Sequence, residues 1–386
     1  MRWWHHAWPG LLATLNGVGF CRFAYTPLVP FMIAAGAVSG TGAAYLGAAN
    51  LAGYLAGAAL AAPLAARLGF SLTTRGCFGL SVIALASCIW SGSFWWYLPW
   101  RLLAGAAGAV LMVLAPSFLL TQVETKERGR SSGVIYAGVG TGIALSSLVM
   151  PTLAAWDISW AWAALAAGAA LTTALTWPRW QGRKIIVVGR NATPLGLPAW
   201  FVSMAFGMDG IGFVPHMLFW VDYIARTLSL GMAAGAAQWL LLGLGAVIGP
   251  FLGGTVGDRI GLGRALVLAY AVKAAAVLVP SLTSAWPMLA VSSVVTGALT
   301  PGMAALSAAR LTELVPAGGQ IRAWGLATLV FGLFQAAGAY GMAAAYGLTQ
   351  SYVPLYAAGA AFELVGMAFA LTALMCQGDQ MTRREA

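Results

Sequence analysis

Apolar runs of roughly 20 residues follow one another along almost the whole 386-residue chain, parted by short polar breaks. Nothing else in the sequence constrains the fold as strongly. As a helix rising about 1.5 Å per residue, a run of this length matches the hydrocarbon core of a bilayer, about 30 Å thick. The runs lack the period-two alternation of barrel strands. Lipid offers no partner to backbone amides and carbonyls, so spanning runs of this kind must be helices. Charged residues make up 8% of the chain and hydrophobic ones 60%, against about 25% charged in a soluble domain. Twelve spans are predicted, near residues 8–35, 43–66, 73–92, 95–120, 131–153, 158–177, 199–221, 232–257, 264–282, 285–309, 323–346 and 353–376.

The longest polar break, Pro178 to Gly196, divides six spans from six. The halves repeat one another. "GVGF" at Gly17–Phe20 returns as "GIGF" at Gly210–Phe213, an offset of 193. "ARLG" at Ala66 returns as "DRIG" at Asp258, "LLAG" ending at Gly105 as "VVTG" ending at Gly297, and "RSSG" at Arg130 as "RAWG" at Arg322, each offset by 192. Four ordered matches at nearly constant offset indicate an internal duplication. Six spans per half make it a parallel repeat about an axis along the membrane normal. The expected organisation is a six-helix bundle over residues 1–177, a linker over 178–197, a second bundle over 198–376 and a tail over 377–386.

The net charge is +10, but the basic residues stand a few at a time between apolar runs and form no nucleic-acid stripe. With both termini inside, 16 of the 20 Lys and Arg residues fall on the cytoplasmic side, as positive-inside topology requires. The N-terminal "MRWWHHAWPG" reads as the start of an uncleaved first helix with interfacial tryptophans. Four scattered cysteines make no CxxC pair, so buried thiols are expected, with no disulfide or metal site. "GVGTG" lacks the strand, the helix start and the Lys of a phosphate loop. Neither a cofactor nor a metal is expected.

Two motifs carry a resemblance to the major facilitator superfamily of secondary transporters. The first is the loop "GTVGDRIGLGR", Gly254 to Arg264. The second is the fourth-span pattern "RLLAGAAG", Arg101 to Gly108. "GFCRFAYTPLVPFM" and "YLGAANLAGYLAGA" are similar to a bacterial branch, the YbfB-type transporters. The resemblance implies an all-α integral membrane fold with about 12 transmembrane helices in two pseudo-symmetric halves. It also implies alternating access, spans 1 and 4 on the central cavity, spans 9 and 12 at the periphery, and no enzymatic activity. A monomer in the bacterial inner (plasma) membrane is expected, its partners being a small-molecule substrate, the lipid bilayer and coupling protons. Two departures stand out. Ala66 takes the place where the family usually has Asp in the first-half loop, and the glycine-rich fifth span lacks the proline of drug/proton antiporters.

Charge at mid-membrane costs roughly 2.5–3.5 kcal/mol on insertion scales, which makes such residues functional candidates. Arg22 lies about 14 residues, roughly 21 Å, into span 1, and Arg101 roughly 10 Å into span 4 from the opposite face. These are nearly equal depths. Two guanidiniums facing one cavity would hold a carboxylate through paired hydrogen bonds; alternatively, each bonds backbone carbonyls and fixes packing. Tyr25 shares the face of Arg22, Asn50 on span 2 pairs at i,i+4 with Tyr54, and Tyr136 and Gln335 are further candidate substrate donors. Pro27 and Pro30 form either a hinge or a static kink. Asp209 and His216, on one face of span 7, are candidate proton carriers, with a structural role as the alternative. Lys273 and Glu363, on the peripheral spans, read as a structural ion pair. Asp258 and Arg259 read as state-dependent loop contacts.

The sequence thus favours a secondary transporter that moves a small organic anion as a proton-coupled symporter. The alternative is a proton-driven multidrug exporter of lipophilic or cationic compounds, with Asp209 as the proton carrier. A lipid-processing enzyme would need acidic or histidine clusters that the short loops do not supply. A non-transporting scaffold stays open at this stage.

Overall fold

The computed structural model describes residues 2–90, 93–124, 127–180, 195–316, 319–349 and 351–385. Among them every regular element is helical. Span 1 covers residues 2–34 and is segmented. Span 2 is Gly40–Leu68, span 3 Phe70–Ser87, span 4 Phe94–Thr121, span 5 Arg128–Trp156 and span 6 Ile158–Trp180. Span 7 covers residues 197–227 and is also segmented. Span 8 is Met232–Ile260, span 9 Leu262–Leu282, span 10 Trp286–Leu314, span 11 Gln320–Thr349 and span 12 Val353–Glu385. Eleven segments among the described residues are long and apolar enough to cross a bilayer. Span 1 falls outside that number because its helix is broken. Of the segment expected to link the halves, residues 181–194 lie outside the described residues, and 178–180 continue span 6. The expected tail continues span 12 as helix to Glu385.

Local chemistry explains the break in span 1. The helix Arg2–Thr14 widens to a π-turn over Leu15–Phe20, where Gly17 and Gly19 lower helix propensity. The Cys21 amide donates five residues back, to the Asn16 carbonyl, at 3.1 Å. Arg22 then leaves helical geometry (φ −121°, ψ −67°), and a 3-10 turn follows over Phe23–Leu28. There Pro27 has no amide to donate. The Tyr25 amide bonds the Arg22 carbonyl, so the Cys21 carbonyl is left without its helical donor. The backbone recovers in Val29–Ala34, where Pro30 stands in the first turn. The side chain of Pro30 lies outside the described residues. Span 7 repeats the device: its helix Leu197–Gly212 gives way at Pro215 to a π-turn over Pro215–Phe219.

The duplication is visible in the packing. Gly53, Gly57 and Gly105 bring spans 2 and 4 together, each against a backbone carbonyl of the facing helix: Leu102, Ala106 and Asn50. Gly245, Gly249 and Gly297, all 192 residues later, do the same for spans 8 and 10 against Val294, Ala298 and Leu242. Small residues let helices pack closely where lipid supplies no hydrophobic drive. The tight turns after spans 2 and 8 also match. Gly69 and Gly261 close them with φ of +84° and +88°, a conformation that favours glycine.

Exposed Leu72, Leu171, Leu268 and Leu371 mark spans 3, 6, 9 and 12 as lipid-facing. Trp90, Trp95, Trp156, Trp160 and Trp286 are exposed at one end of the bundle, as an aromatic belt requires. Asp157 caps span 6 there: it accepts the Ser159 amide at 2.7 Å, which holds its carboxyl below the usual carboxylate value. The opposite end carries Arg67, Arg128, Arg130, Arg179, Arg259 and Arg264.

The glycine contacts yield a stability test. Gly57→Ala and Gly249→Ala place a Cβ against the facing backbone, an overpacking of about 1–3 kcal/mol, and lower the melting temperature of the purified protein. Gly76→Ala, whose Cβ enters open space, leaves it unchanged or raises it. Thermal unfolding followed by tryptophan fluorescence reads the difference.

Candidate functional site

A cavity of about 40 Å³ lies where the two halves meet at the level of the span 1 break. Val18, Arg22 and Phe23 of span 1 line it, with Tyr54 of span 2, Met112 of span 4 and Val139 of span 5. The second half supplies Phe206 and Phe213 of span 7, Thr300, Pro301 and Ala304 of span 10, and Trp324, Thr328, Phe331 and Gln335 of span 11. A small-molecule pocket is typically about 300–1,000 Å³, so the halves are drawn together around the site in this state.

Arg22 joins the halves. Its guanidinium donates to Oε1 of Gln335 on span 11. The Gln335 Nε2 in turn lies 3.3 Å from the Met217 sulfur, with Arg22 Nη2 at 3.8 Å from the same atom. The Tyr54 ring lies 5.0 Å from the guanidinium carbon and the Phe23 ring 5.2 Å, which gives the charge aromatic support. Among the described residues no carboxylate pairs with Arg22.

A second charged cluster lies within the second half. Lys273 of span 9 contacts Asp209 of span 7 directly and lies 3.6 Å from Oε1 of Glu363 on span 12, and all three side chains have no exposed surface. The expected Lys273–Glu363 contact is present, and Asp209 joins it in a triad whose closest contact is Lys273–Asp209. One ammonium lies within reach of two carboxyls because spans 7, 9 and 12 converge here. His216 is also fully buried. Its Nε2 lies 2.9 Å from the Ser292 hydroxyl, and its ring packs on Trp220 and edge-on to Tyr356, with centroids at 4.5 and 5.3 Å.

At the arginine-rich end, the Asp258 carboxylate of span 8 lies against Gly129 in the first turn of span 5, facing the backbone amides of Gly129 and Arg130. Span 5 belongs to the other half. Hydrogen bonds also cross between the halves: the Ser132 hydroxyl to the Ala305 carbonyl at 3.0 Å, and the Trp324 indole to the Met112 carbonyl at 3.2 Å. Arg259, next to Asp258, is exposed.

The family model described as "Uncharacterised MFS-type transporter YbfB" matches residues 14–371. The chain belongs to this family. It is a multi-pass membrane transporter of the major facilitator superfamily, and that family and fold are those of transporters rather than enzymes. A search of curated proteins finds no match. The proton:xylose symporter XylE, solved with 6-bromo-6-deoxy-D-glucose, has the same fold: TM-score 0.74, 15% identity, 94% of each chain covered. So does a bacterial homologue of the iron transporter ferroportin in an outward-facing state (TM-score 0.75, 12% identity, 97% of this chain and 100% of that one). The human organic anion transporter MFSD10 (TETRAN) aligns with TM-score 0.71 and 16% identity over 95% of this chain and 98% of that one.

Within the YbfB-type transporter, the structure brings Arg22 and Gln335 together and holds Arg101 apart. Arg101 is buried off the cavity. Its Nη1 donates to the Cys21 carbonyl at 2.9 Å, and its guanidinium carbon lies 4.2 Å from the Tyr25 ring centroid. Asn50 donates to the same carbonyl at 3.1 Å and to the Arg101 carbonyl at 2.9 Å. Tyr25 donates to the Ala43 carbonyl at 3.0 Å. The expected two-arginine site is thus corrected: Arg101, Asn50 and Tyr25 brace the broken helix, because equal depth did not mean a shared face. Tyr136 is buried behind the wall, edge-on to Trp324 at 6.0 Å, its hydroxyl without a hydrogen-bond partner among the described residues.

The sequence reading missed the aromatic wall. Phe206 and Phe213 stand seven residues apart on span 7. Trp324, Thr328, Phe331 and Gln335 follow i, i+4, i+7 and i+11 spacing on span 11. That helical periodicity was the available signal.

The brace and the site separate experimentally. Arg101→Met removes the charged one of the two donors to the buried Cys21 carbonyl, at about 1.5–3 kcal/mol, and lowers both detergent-extracted yield and melting temperature. Arg22→Gln leaves both close to wild type.

Proposed function

We propose that this transporter carries a small organic anion, coupled to protons, by alternating access. The observation that carries the reading is Arg22: a permanent cation, on a helix break between the halves, with a neutral Gln335 as its partner instead of a carboxylate. A guanidinium offers a carboxylate two parallel hydrogen bonds, and an arriving anion can exchange for Gln335 without breaking an ion pair. The aromatic wall suits an organic body behind the anionic group. The same wall also fits a lipophilic drug, but a cationic one would meet Arg22 at close range.

The proposed gate is Asp258. Its carboxylate faces the first-turn amides of span 5, at the favourable end of a helix dipole. This contact holds the arginine-rich end closed and breaks when the halves rock apart. Arg259, exposed beside it, stays a candidate for contacts made in the open state. By the positive-inside rule that end is cytoplasmic, with both termini inside a bacterial inner membrane. One chain supplies both halves of the cavity, in keeping with a monomer.

Uptake into proteoliposomes of a panel of mono- and dicarboxylates, with and without an inward proton gradient, tests the reading. Accumulation of at least one anion, stimulated by the gradient, is expected. Arg22→Gln reduces it at least about tenfold, the size of a lost charge-assisted bond of about 1.5–3 kcal/mol. No anion uptake, together with proton-driven export of a cationic dye, overturns it. Asp258→Asn weakens the gate by about 0.3–2 kcal/mol. It shifts the distance distribution between spin labels at Gln122 and Arg264, in a cysteine-depleted background, toward longer values.

A further inference from the structure

We infer that Asp209, Lys273 and Glu363 form the proton-carrying site of the cycle, with the transported proton held on Glu363 and shared toward Asp209. The inference rests on the proton-coupled reading above but not on the nature of the solute.

The first argument is charge. One ammonium serves two carboxyls, and none of the three side chains reaches solvent. With both acids ionised the cluster carries a net negative charge in a dry interior, which proteins avoid by neutralising one group. Two carboxyls at one site do not both ionise readily. The contacts say which acid takes the proton. Asp209 holds the close contact to Lys273, whereas neither oxygen of Glu363 has a hydrogen-bond donor among the described residues, its ammonium contact being the longer one at 3.6 Å. A proton on Glu363 supplies a donor toward the neighbouring Asp209. The loaded site, Asp209 carboxylate, Lys273 ammonium and Glu363 acid, is neutral. Release to water leaves Glu363 ionised and the site at one net negative charge, and rebinding restores the acid.

The second argument is the duplication. Asn16, Ser81 and Thr172 precede Asp209, Lys273 and Glu363 by 193, 192 and 191 residues, on spans 1, 3 and 6, the counterparts of spans 7, 9 and 12. All three are buried. Asn16 donates to the Thr172 hydroxyl at 2.8 Å, and Ser81 to the Phe78 carbonyl at 2.7 Å. The first half therefore builds this junction from neutral groups. Packing does not require charge there, and the second half carries charge at the same three places.

The surroundings complete the site. Span 9 adds Tyr270, fully buried one turn before Lys273; span 7 adds His216; span 12 adds Tyr356; and span 10 presents Ser292 to His216. His216 is the weaker carrier, because an imidazolium in this fully buried place has no water to hold its charge, and the Lys273 ammonium nearby adds repulsion. The triad also touches the moving part. Gly212, at the end of the straight helix of span 7, leaves the room that the Glu363 carboxyl occupies. Gly210, next to Asp209, packs on the Phe331 carbonyl and the Gln335 amide of span 11, and Gln335 holds Arg22. Loading and unloading Glu363 thus acts on the span 7 break that supports the solute site.

Infrared difference spectra of the purified protein, titrated with pH in the absence of any solute, test this directly. A protonated-carboxyl stretching band is expected at neutral pH, lost on alkaline titration and absent in Glu363→Gln. Should that variant fail to fold, the triple variant Asp209→Asn, Lys273→Ser, Glu363→Thr copies the first half. It is expected to fold, to lack the band and to lose gradient-driven accumulation while keeping solute exchange. A wild type without the band overturns the inference, as does a band that persists in either variant. Failure of the anion reading leaves the band in place, so the two failures are distinguishable.

Discussion

The Cys21 carbonyl is the point on which the proposed solute site depends. A helix can break inside a membrane only if each freed backbone group finds another partner. Here Arg101 and Asn50 both donate to this one carbonyl, from two different spans. Without them the π and 3-10 turns of span 1 would leave a bare acceptor in an apolar interior, at about 1–3 kcal/mol. With them, the chain turns Arg22 out of helical register and toward the cavity. The cation at the cavity and the cation behind it therefore have separate duties: one is presented because the other is buried.

The duplicated frame explains why such chemistry can be installed at all. The glycines that seat span 2 on span 4 and span 8 on span 10 recur at one offset against equivalent carbonyls. Close backbone contact needs no particular side-chain charge, so each half is free to place polar groups elsewhere. The first half breaks its helix at an arginine. The second breaks at Pro215 and gathers three charges behind the break. The proposed solute and proton sites then sit in different halves and still meet at the Arg22–Gln335 bond.

Fold and repeat were legible in the sequence because both are one-dimensional signals. Run length gives the spans, and constant offset gives the halves. Arg22 and Gln335 stood out as polar groups in apolar runs, and the structure joins them. Arg101 misled because residue counting fixes depth along a helix and not the direction a side chain takes around it. A broken helix defeats direction altogether, since π and 3-10 turns shift the phase of everything beyond them. The triad was half visible for a related reason. Lys273 and Glu363 could be matched by depth, but Asp209 reaches them only through the convergence of three spans far apart in sequence.

The seams between the halves show the last consequence of unequal repeats. Span 5 meets span 8 as span 11 meets span 2, and Gly133 and Gly325 are equivalent positions on the two seams. A Cβ on Gly133 would lie 2.5 Å from the Pro250 carbonyl, whereas one on Gly325 would lie 3.7 Å from the Ala58 carbonyl. The tighter seam is the one where Asp258 faces the start of span 5. The looser seam has Ala66 at the position equivalent to Asp258, and an alanine side chain has nothing to accept the amides of span 11. Symmetry of the frame would let both seams part together. Under the proposed gate the single carboxylate makes them unequal, and an opening motion at the arginine-rich end then meets its main resistance at span 5 and span 8, on the side of the molecule where the halves already lie closest.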